Sequence, residues 1–505
     1  MTSAAPTGPA GQVLPRTVLQ PGDVITRPTW PFDRTVRSVH VIRIGGAGMS
    51  AVGRLALEAG LAVSGSDSQD GQFIGPLRAA GARIGIGFDA SHLADDLDLV
   101  IVSTAVRADN PELIAARERG IPVIHRAAAL AGLLAPRALL AVAGTHGKTT
   151  TTGMAVMALR GAGLDPAWAL GAAVPDLGRN AGFGADAADQ AALAPAVVEA
   201  DESDGSFLAF APHALVVTNL EPDHLDFHGD AATLTAAFDA LTTQLVAGGT
   251  LVVCADDPGA DALGRRAAQR GTTVLTYGSA EGADWRLREE RAGTRGARIE
   301  VDTPRGTLRT ELAVAGHHNV LNALGALAAA SALDPAAAPA ALAAGLAAFT
   351  GASRRFDVAG VAGGVTVVDD YAHHPREVAA TVAAARGIVT AQPQAGRVLV
   401  VFQPHLFSRT RDFAADFATA LSAADQAWVM PVYGAREEPD PTVDARTITA
   451  LAAEHVRPLG PGEPAADPVA AAARPGDLLL MLGAGDIVET TPAVMAALDA
   501  ARTHR

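Results

Sequence analysis

The chain has little of several residue types, and each shortage excludes a class of protein. It contains one cysteine, Cys254, in 505 residues, so an intramolecular disulfide framework is impossible and a reducing, cytoplasmic location is expected. Aromatic residues make up only 4% of the sequence, so the core must consist mainly of alanine, valine and leucine. No apolar run approaches the roughly 20 residues of a membrane helix, and the first residues lack a signal-peptide pattern. We therefore expect no membrane insertion.

Positive charge is also scarce, and lysine is almost missing. The formal net charge is −15 at pH 7, which argues against a nucleic-acid partner. Any anionic ligand must therefore be held by local arginines and loop amides. Lys148 is the only lysine among the 39 basic residues, and the other 38 are arginines. Lysine is a compact point charge, so its retention at one position indicates a loop that the planar arginine fork does not fit.

The lone lysine follows a glycine loop. An apolar run from Leu139 ends in Gly144-Thr-His-Gly147, and four threonines follow Lys148. The pattern predicts a strand, a tight loop and a helix N-terminus, where main-chain amides converge on a phosphate. Val142 stands where the common phosphate-loop pattern has its first glycine, so an ordinary strand-to-helix turn is the alternative. The predicted ATP-phosphate contacts are Gly144, Thr145, His146, Gly147, Lys148, Thr149 and Thr150.

Two later segments place metal-binding side chains after strands. The apolar run 196–200 leads into Glu199-Ala-Asp-Glu-Ser-Asp204, where a carboxylate at a strand end predicts a Mg²⁺ ligand. A solvated acidic loop is the alternative. His224 and His228 are four residues apart and could form a zinc pair on one helix face. No further zinc-type motif accompanies them, so we favour His224 as a ligand of phosphate-bound Mg²⁺.

A second glycine-rich loop lies near the beginning of the chain. A predicted strand, 37–44, is followed by Gly45-Gly-Ala-Gly-Met and a helix to Ala59, and the next strand ends at Asp67. Gly46-x-Gly48-x-x-Ala51 satisfies the dinucleotide fingerprint, with Asp67 placed where a ribose-binding acid would fall. The pattern requires only a pyrophosphate at a helix N-terminus, so it is compatible with NAD or with a UDP-sugar. A loop that merely packs a helix tightly remains the structural alternative.

Strands and helices alternate along the rest of the chain and predict an α/β fold of three domains. The first is Rossmann-like, the second begins with the phosphate loop and has a mostly parallel sheet with a β-rich insert at 284–314, and the third is again Rossmann-like. In the third domain polar motifs follow the strands, where open parallel sheets bind ligands. The predicted bounds are a disordered tail at 1–36 and domains at 37–137, 138–350 and 351–505.

Eight motifs in this order resemble the Mur ligase family, and the agreement runs from about Arg37 to the C-terminus. The motifs are Gly45-Gly-Ala-Gly-Met, Gly144-Thr-His-Gly-Lys-Thr-Thr-Thr-Thr, Glu199-Ala-Asp-Glu-Ser-Asp-Gly-Ser-Phe, Asp223-His-Leu-Asp, His318-Asn-Val-Leu-Asn, Arg354-Arg-Phe-Asp, Asp370-Tyr-Ala-His-His-Pro and Phe402-Gln-Pro-His.

The resemblance implies an enzyme and its substrates. L-alanine would be joined to the carboxylate of UDP-N-acetylmuramate at the expense of ATP, through an acyl phosphate, in peptidoglycan precursor synthesis. The first domain would bind the UDP portion, the second would be a P-loop-type ATPase that binds ATP and two Mg²⁺ ions, and the third would bind the amino acid and help to close over ATP. A monomer or a homodimer is expected.

The resemblance also assigns residues. It places Lys148 on the ATP phosphates and, with His224 and Arg355, in the catalytic set; Thr149 and Glu199 on the first Mg²⁺; and His224 on the second. It places Asn319 on adenine, Arg355 on phosphates and Asp370 near the ATP ribose or phosphates. The amino-acid pocket would contain Tyr371, His374, His405 and Arg409. The UDP-sugar site would contain Gly45, Gly46, Ala47, Gly48, Met49, Asp67, Ser103 and Thr104.

Three alternatives remain at this point. A nicotinamide-dependent oxidoreductase or dinucleotide sensor would use the first glycine loop, but it leaves the phosphate loop and the third domain unexplained. A recycling ligase would join UDP-muramate to a preformed tripeptide. An inactive regulator would keep the nucleotide site without catalysing ligation.

Overall fold

The computed structural model describes residues 36–185, 193–293, 296–392, 396–435 and 437–503. The predicted tail, except for residue 36, lies outside them. The chain divides into two compact units, which are described separately. Unit 1 contains Met1–Arg288, Val301–Leu308 and Leu321–Ala348, and unit 2 contains Glu289–Glu300, Arg309–Val320 and Phe349–Arg505.

Unit 1 begins with a five-stranded sheet of order β3-β2-β1-β4-β5. β1 pairs in parallel with β2 on one side and with β4 on the other, so the chain reverses its winding direction at β1. Ligands of open parallel sheets bind at such a switch point, beyond the carboxyl ends of the strands. The strands are β1 (Ser38–Ile42), β2 (Ala62–Asp67), β3 (Arg83–Ile86), β4 (Leu99–Val102) and β5 (Val123–His125).

A ten-stranded sheet follows, in the order β15-β14-β13-β12-β11-β10-β6-β9-β7-β8. β6 lies between β9 and β10 and is parallel to both, so the loop after β6 emerges beside the ends of two neighbouring strands. The strands are β6 (Ala138–Ala143), β7 (Ala167–Val174), β8 (Arg179–Gly182), β9 (Pro195–Glu199), β10 (Ala214–Val217), β11 (Thr250–Cys254), β12 (Thr273–Gly278), β13 (Trp285–Ala292), β14 (Ala297–Thr303) and β15 (Gly306–Leu312).

A six-stranded sheet forms the centre of unit 2, with the order β16-β17-β21-β18-β19-β20. Along β18, Val398, Val400 and Phe402 pack into one apolar cluster, while Leu399 and Val401 pack into another on the opposite face. Continuous apolar strands of this kind are expected when helices cover both faces of a parallel sheet. The strands are β16 (Asp357–Ala362), β17 (Val365–Asp370), β18 (Val398–Phe402), β19 (Gln426–Val429), β20 (Val456–Pro458) and β21 (Leu478–Leu482).

The helices mostly connect successive strands. They are α1 (Ala47–Glu58), α2 (Ile74–Ala79), α3 (Pro111–Glu118), α4 (Arg126–Leu133), α5 (Lys148–Gly161), α6 (Leu225–His228), α7 (Ala231–Thr242), α8 (Pro258–Gln269), α9 (His317–Leu333), α10 (Pro339–Ala347), α11 (Pro375–Ala391), α12 (Phe407–Asp412), α13 (Ala414–Ser422), α14 (Ala445–Thr449), α15 (Ala466–Ala472) and α16 (Thr491–Thr503). None of the described helices combines the length and the apolar character that crossing a membrane requires.

The α/β fold class and its mostly parallel sheets are confirmed, whereas some local expectations differ from the structure. The sequence interpretation missed the antiparallel pair β7–β8 and the antiparallel edge strand β16. α4 runs through Arg126–Leu133 and ends just before the predicted domain bound at residue 137. Short apolar runs do not by themselves distinguish a strand from a buried helix, so tertiary pairing decides these segments.

Candidate functional site

The loop after β6 has the backbone that a phosphate site needs. Gly144 and Gly147 have left-handed φ values of 127° and 82°, and Gly147 is the N-cap of α5. A Cβ atom on Gly147 would lie 2.5 Å from Oδ1 of Asn322, so this position requires glycine for conformation and for space. The loop is tied to the end of β10, because the His146 amide donates to Oδ1 of Asn219 at 2.8 Å.

Lys148 lies inside this loop. Its Nζ donates to the carbonyl oxygens of Gly144 (2.8 Å) and Thr145 (3.1 Å) and to Oε1 of Glu202 (2.9 Å). Burial acts to lower the pKa of Lys148, but attraction to the carboxylates of Glu202 and Asp201 outweighs it and raises the pKa. The ammonium group is therefore charged and fixed beside the loop amides.

Thr149 and Glu199 form an oxygen pair at the start of α5. The Thr149 hydroxyl donates to Oε2 of Glu199 at 2.9 Å, and the same oxygen accepts the Gly171 amide at 2.7 Å. Glu199 is the last residue of β9, so the parallel pairing of β9 with β6 carries its carboxylate to the helix N-terminus. A hydroxyl and a carboxylate are ligands that Mg²⁺ prefers, so these residues fit the predicted metal position.

His224 lies near Glu202, the carboxylate that accepts a hydrogen bond from Lys148. It has a left-handed φ of 52°, and its Nε2 lies 3.9 Å from Oε1 of Glu202 and 3.7 Å from Oδ2 of Asp223. His224 precedes α6, whereas His228 ends it and donates from Nε2 to the main-chain oxygen of Glu202 at 2.8 Å. His224 therefore lies outside the helix that contains His228, and the Nε2 of His228 is engaged by a carbonyl, which does not favour the zinc-pair alternative.

The first glycine loop borders a cavity of about 460 Å³ at the carboxyl ends of β1, β2 and β4. Asp67 holds this loop, because its Oδ2 accepts the Gly45 amide at 2.8 Å while its Oδ1 accepts the Ser68 amide at 2.7 Å. Asp67 thus supports the loop in addition to lining the cavity. The predicted sugar-nucleotide residues that line it are Gly45, Gly46, Met49, Asp67 and Ser103.

The other predicted sugar-nucleotide residues, Ala47, Gly48 and Thr104, lie against residues that come later in unit 1. The Ala47 carbonyl accepts the side-chain amide of Asn180 at 2.8 Å, and the Thr104 hydroxyl donates to Oδ2 of Asp204 at 3.1 Å. A Cβ atom on Gly48 would lie 2.8 Å from Nη1 of Arg126, so the guanidinium packs directly on the loop.

Arg126 connects this loop to the acidic segment after β9, and the sequence interpretation missed it. Its Nη2 lies 3.5 Å from Asp201 and 3.9 Å from Asp204. The preceding His125 is buried with its Nε2 3.6 Å from Asp204, and burial lowers the pKa of this imidazole to about 4. No sequence motif marks this contact, because the partners are some 75 positions or more apart and meet only through the fold.

The predicted phosphate-contacting residues of unit 2 lie around the end of β17. Asp370 accepts the amides of Phe356 and Ala372, each at 2.7 Å, and burial raises its pKa to about 6 although Arg355 opposes the shift. Arg354 and Phe356, on either side of Arg355, have left-handed φ values of 58° and 52°. Such strain in residues other than glycine is concentrated at functional sites.

Aromatic and imidazole rings form a row near the ends of β17 and β18. The ring of Tyr371 lies edge-on to His373 at 5.2 Å, and His373 lies 5.8 Å from His405. His405 stacks on Tyr433 at 5.8 Å, and the guanidinium of Arg355 lies 5.2 Å from the centre of the Tyr371 ring. The sequence interpretation named Tyr371 and His405 but did not include Tyr433.

The remaining predicted residues of unit 2 are buried. His374 is the N-cap of α11 and its ring lies 5.1 Å from that of Phe413, while Arg409 lies on α12. Leu406, just before α12, has a left-handed φ of 70°. Asn319 lies in the first turn of α9 and donates to the Ala315 carbonyl at 2.7 Å. Buried polar side chains of this kind can bind a small polar ligand at little additional desolvation cost.

The described residues therefore contain a phosphate loop with a fixed ammonium group, an oxygen pair suited to Mg²⁺, and a cavity beside a second glycine loop. Positioned charge of this kind is the main requirement of phosphoryl transfer.

Comparison with known proteins agrees with this chemistry. Three domain models match successive parts of the chain: Mur ligase family, catalytic domain, at residues 38–137; Mur ligase middle domain at 142–330; and Mur ligase, glutamate ligase domain, at 354–485. A UDP-N-acetylmuramate–L-alanine ligase of Kineococcus radiotolerans is 50% identical over 464 residues, which cover 90% of this chain and 95% of the relative. A ligase of the same name from Mycobacterium tuberculosis is 45% identical, with 92% and 95% covered.

Two solved structures are also similar to this chain. The crystal structure of a UDP-N-acetylmuramate-alanine ligase from Thermotoga maritima has a TM-score of 0.73 and 28% sequence identity, and the match covers 92% of this chain and 99% of that one. A murein peptide ligase from Psychrobacter arcticus shares the fold, with a TM-score of 0.66 at 23% identity, and covers 92% and 99%. The chain belongs to the Mur ligase family.

Proposed function

We propose that the chain joins L-alanine to the carboxylate of UDP-N-acetylmuramate, with hydrolysis of ATP to ADP and phosphate, in peptidoglycan precursor synthesis. The observation that carries this proposal is the near full-length similarity to ligases of that name. The site supports it, because Lys148, Thr149 and Glu199 are arranged as a phosphoryl-transfer centre. A carboxylate and an amine do not condense spontaneously in water, so activation by phosphoryl transfer is required.

In this mechanism the residues of the chain mainly position the substrates and neutralise the charge of the phosphates. ATP binds with its phosphates on the amides at the N-terminus of α5, and the Lys148 ammonium neutralises charge on the transferred group. The muramoyl carboxylate attacks the γ-phosphorus, ADP leaves, and an acyl phosphate forms. The amine of L-alanine then attacks the acyl carbon, and phosphate leaves as the amide bond forms and the amine loses its proton.

Two Mg²⁺ positions belong to the proposal. Thr149 and Glu199 would hold the first, through the oxygen pair described above. His224 marks the second, and the carboxylates of Asp223 and Glu202 beside it supply the oxygen donors that Mg²⁺ prefers to imidazole. Bound Mg²⁺ supplies neutralisation of the phosphate charge that develops during transfer.

The remaining assignments follow the proposed division of the chain into three functional domains. The proposed location of the enzyme is the cytoplasm. Residues 37–137 bind the UDP portion, 138–350 bind ATP, and 351–505 bind the amino acid. Within unit 2, Asn319 contacts adenine, while Arg355 and Asp370 contact the ATP phosphates or ribose. The burial of Asn319 and Asp370 and the strained backbone around Arg355 support these roles. The proposed amino-acid ligands are Tyr371, His374, His405 and Arg409.

A phosphate-release assay on the full chain tests the proposal. Release should require ATP, Mg²⁺ and UDP-N-acetylmuramate together with L-alanine, and mass spectrometry should find the alanyl product. If the muramoyl carboxylate carries heavy oxygen, one labelled atom should appear in the released phosphate, because the carboxylate oxygen attacks phosphorus and stays with it. Release of unlabelled phosphate would contradict the acyl-phosphate route.

The same assay decides between the amino acid and a tripeptide as the second substrate. L-alanine, glycine, L-serine and the tripeptide L-alanyl-γ-D-glutamyl-meso-diaminopimelate are supplied in separate reactions. We expect the highest kcat/KM with L-alanine. Preference for the tripeptide would replace the proposal with a recycling ligase, and an effect of NAD(H) on turnover would support the dinucleotide alternative.

A further inference from the structure

Arg43, which follows the first strand, has an unusual backbone conformation. Arg43 follows β1 and has a left-handed φ of 63°, a conformation that side chains other than glycine rarely adopt. It lies between the fully buried Ile42 and Ile44, and its carbonyl accepts the Gly46 amide at 3.2 Å, so the loop geometry fixes this conformation. A glycine would satisfy the turn without strain, so the arginine side chain must have a use that offsets the cost.

The side chain of Arg43 lies at the wall of the cavity beside the glycine loop. Its Nη1 donates to the Ala105 carbonyl at 3.0 Å, which joins the loops after β1 and β4 across the switch point of the sheet. Arg43 lines the 460 Å³ cavity together with Gly45, Gly46 and Ser103. A volume of this size suits a nucleotide-sized ligand.

The charge of Arg43 has no counterpart within the described part of the chain. Its guanidinium forms no ion pair with a described carboxylate, and the Ala105 carbonyl is the one described acceptor of its hydrogen bonds. Arg43 is the only basic residue that lines the cavity, and Asp67 is the only acidic one. Both oxygens of Asp67 already accept main-chain amides, of Gly45 and of Ser68.

We propose that Arg43 binds the diphosphate of the sugar nucleotide. This inference rests on the proposed function and names the residue that provides positive charge in the first cavity. The first turn of α1, through Met49, and the side chain of Arg43 line the same cavity, and phosphate oxygens accept hydrogen bonds from the amides of a helix N-terminus and from a guanidinium. Arg43 is a binding residue that contributes to substrate affinity, and it takes no part in the chemical step.

Titration calorimetry on the full chain tests the assignment with UDP-N-acetylmuramate, UDP and UMP as ligands. The variants are Arg43→Gly, which removes the backbone strain, and Arg43→Gln, which keeps the bulk and a carbonyl-binding donor without the charge. Loss of a charge-assisted hydrogen bond should weaken UDP binding roughly ten- to hundredfold and UMP binding less. The KM for ATP should stay within about twofold, since the ATP phosphates bind at another loop.

A thermal scan separates binding from a purely structural role. Arg43→Gly should unfold at the same or a higher temperature than the wild type while binding UDP less tightly, because glycine adopts the left-handed backbone freely. Arg83→Gln is the matched control, since Arg83 lies on β3 of the same sheet and lines a different cavity. It should leave the Kd for UDP unchanged.

The outcomes distinguish this inference from the proposed function. Wild-type protein that binds neither UDP nor UDP-N-acetylmuramate would refute the proposed function. Wild-type binding with unchanged Kd values in both Arg43 variants would overturn the Arg43 assignment alone. Equal losses for UDP-N-acetylmuramate and ATP, together with a lower unfolding temperature, would also overturn it, because they would indicate general damage to the fold.

Discussion

The ammonium nitrogen of Lys148 lies 2.9 Å from the carboxylate of Glu202, whose side chain is only 1% exposed. The same nitrogen donates to two carbonyl oxygens of its own loop. The lysine is therefore fully engaged by the acidic segment and by the loop. A phosphate that binds here must share or replace these acceptors, so the pair holds the charge in place in advance of the ligand.

This arrangement predicts a large loss of turnover for Lys148→Arg. The variant keeps the positive charge. The arginine guanidinium, however, is planar and carries five donors, so it does not fit the three acceptors that surround the lysine Nζ. We expect kcat to fall about a hundredfold or more, as when other transition-state charge contacts are lost. Phosphate release at saturating substrates measures the effect. Arg160→Lys, near the end of the same helix, is the control, and normal turnover in Lys148→Arg would show that charge alone suffices.

A pair of glycine substitutions separates backbone strain from the requirement for space. Gly147 and Gly60 have similar φ values of 82° and 85°, but a Cβ atom at Gly147 meets Asn322 whereas one at Gly60 has no atom within 4 Å. Alanine should therefore cost both variants roughly 1 kcal/mol of stability from the left-handed backbone. Only Gly147→Ala should also lose ATP-dependent turnover. Equal turnover in the two variants, measured beside their denaturation curves, would contradict a tight phosphate loop.

Two threonines on α5 provide a matched test of the first Mg²⁺ position. The Thr149 hydroxyl donates to Glu199, whereas the buried Thr151 hydroxyl has no hydrogen-bond partner among the described residues. Thr149→Val should raise the Mg²⁺ concentration for half-maximal activity at least tenfold, because it removes an oxygen ligand. Thr151→Val should leave the Mg²⁺ requirement unchanged and add about 1 kcal/mol of stability, because it removes an unsatisfied buried polar group. A Mg²⁺ titration of both variants checks the result, and identical curves would place the metal elsewhere.

The two glycine loops were predictable because their signals are local. Each is a glycine-rich stretch between an apolar strand and a helix, and the structure has both in that position, with α1 beginning at Ala47 and α5 at Lys148. The strand-end position of Glu199 was predictable for the same reason, since an apolar run ends there.

Other parts of the site depend on contacts that no local pattern contains. The hydrogen bond from Thr104 to Asp204 joins residues 100 positions apart. The row of rings from Tyr371 to Tyr433 forms only after the sheet brings the loops that follow β17, β18 and β19 together, although β21 lies between β17 and β18. The left-handed backbone of Arg43 was equally hidden, because residue type alone predicts an extended conformation there.

Asp370 predicts a specific dependence of stability on pH. Burial raises the pKa of its carboxyl from 3.8 to about 6 in the folded protein, and Arg355 only partly opposes this. The folded state therefore binds more protons than the unfolded state between pH 4 and 6, so this group destabilises the fold as the pH rises through that window. A shift of about two pKa units corresponds to roughly 3 kcal/mol at neutral pH.

The variant Asp370→Asn removes this ionisation while keeping the shape of the side chain. We expect its unfolding temperature, relative to that of the wild type, to rise between pH 4.5 and pH 7, because only the wild type must bury a charge at the higher pH. Asp412→Asn is the control, since Asp412 forms an exposed ion pair with Arg411 that contributes little to stability. A constant difference between Asp370→Asn and wild type across this range would mean that Asp370 is already ionised at pH 4.5, and that the amides of Phe356 and Ala372 together with Arg355 outweigh its burial.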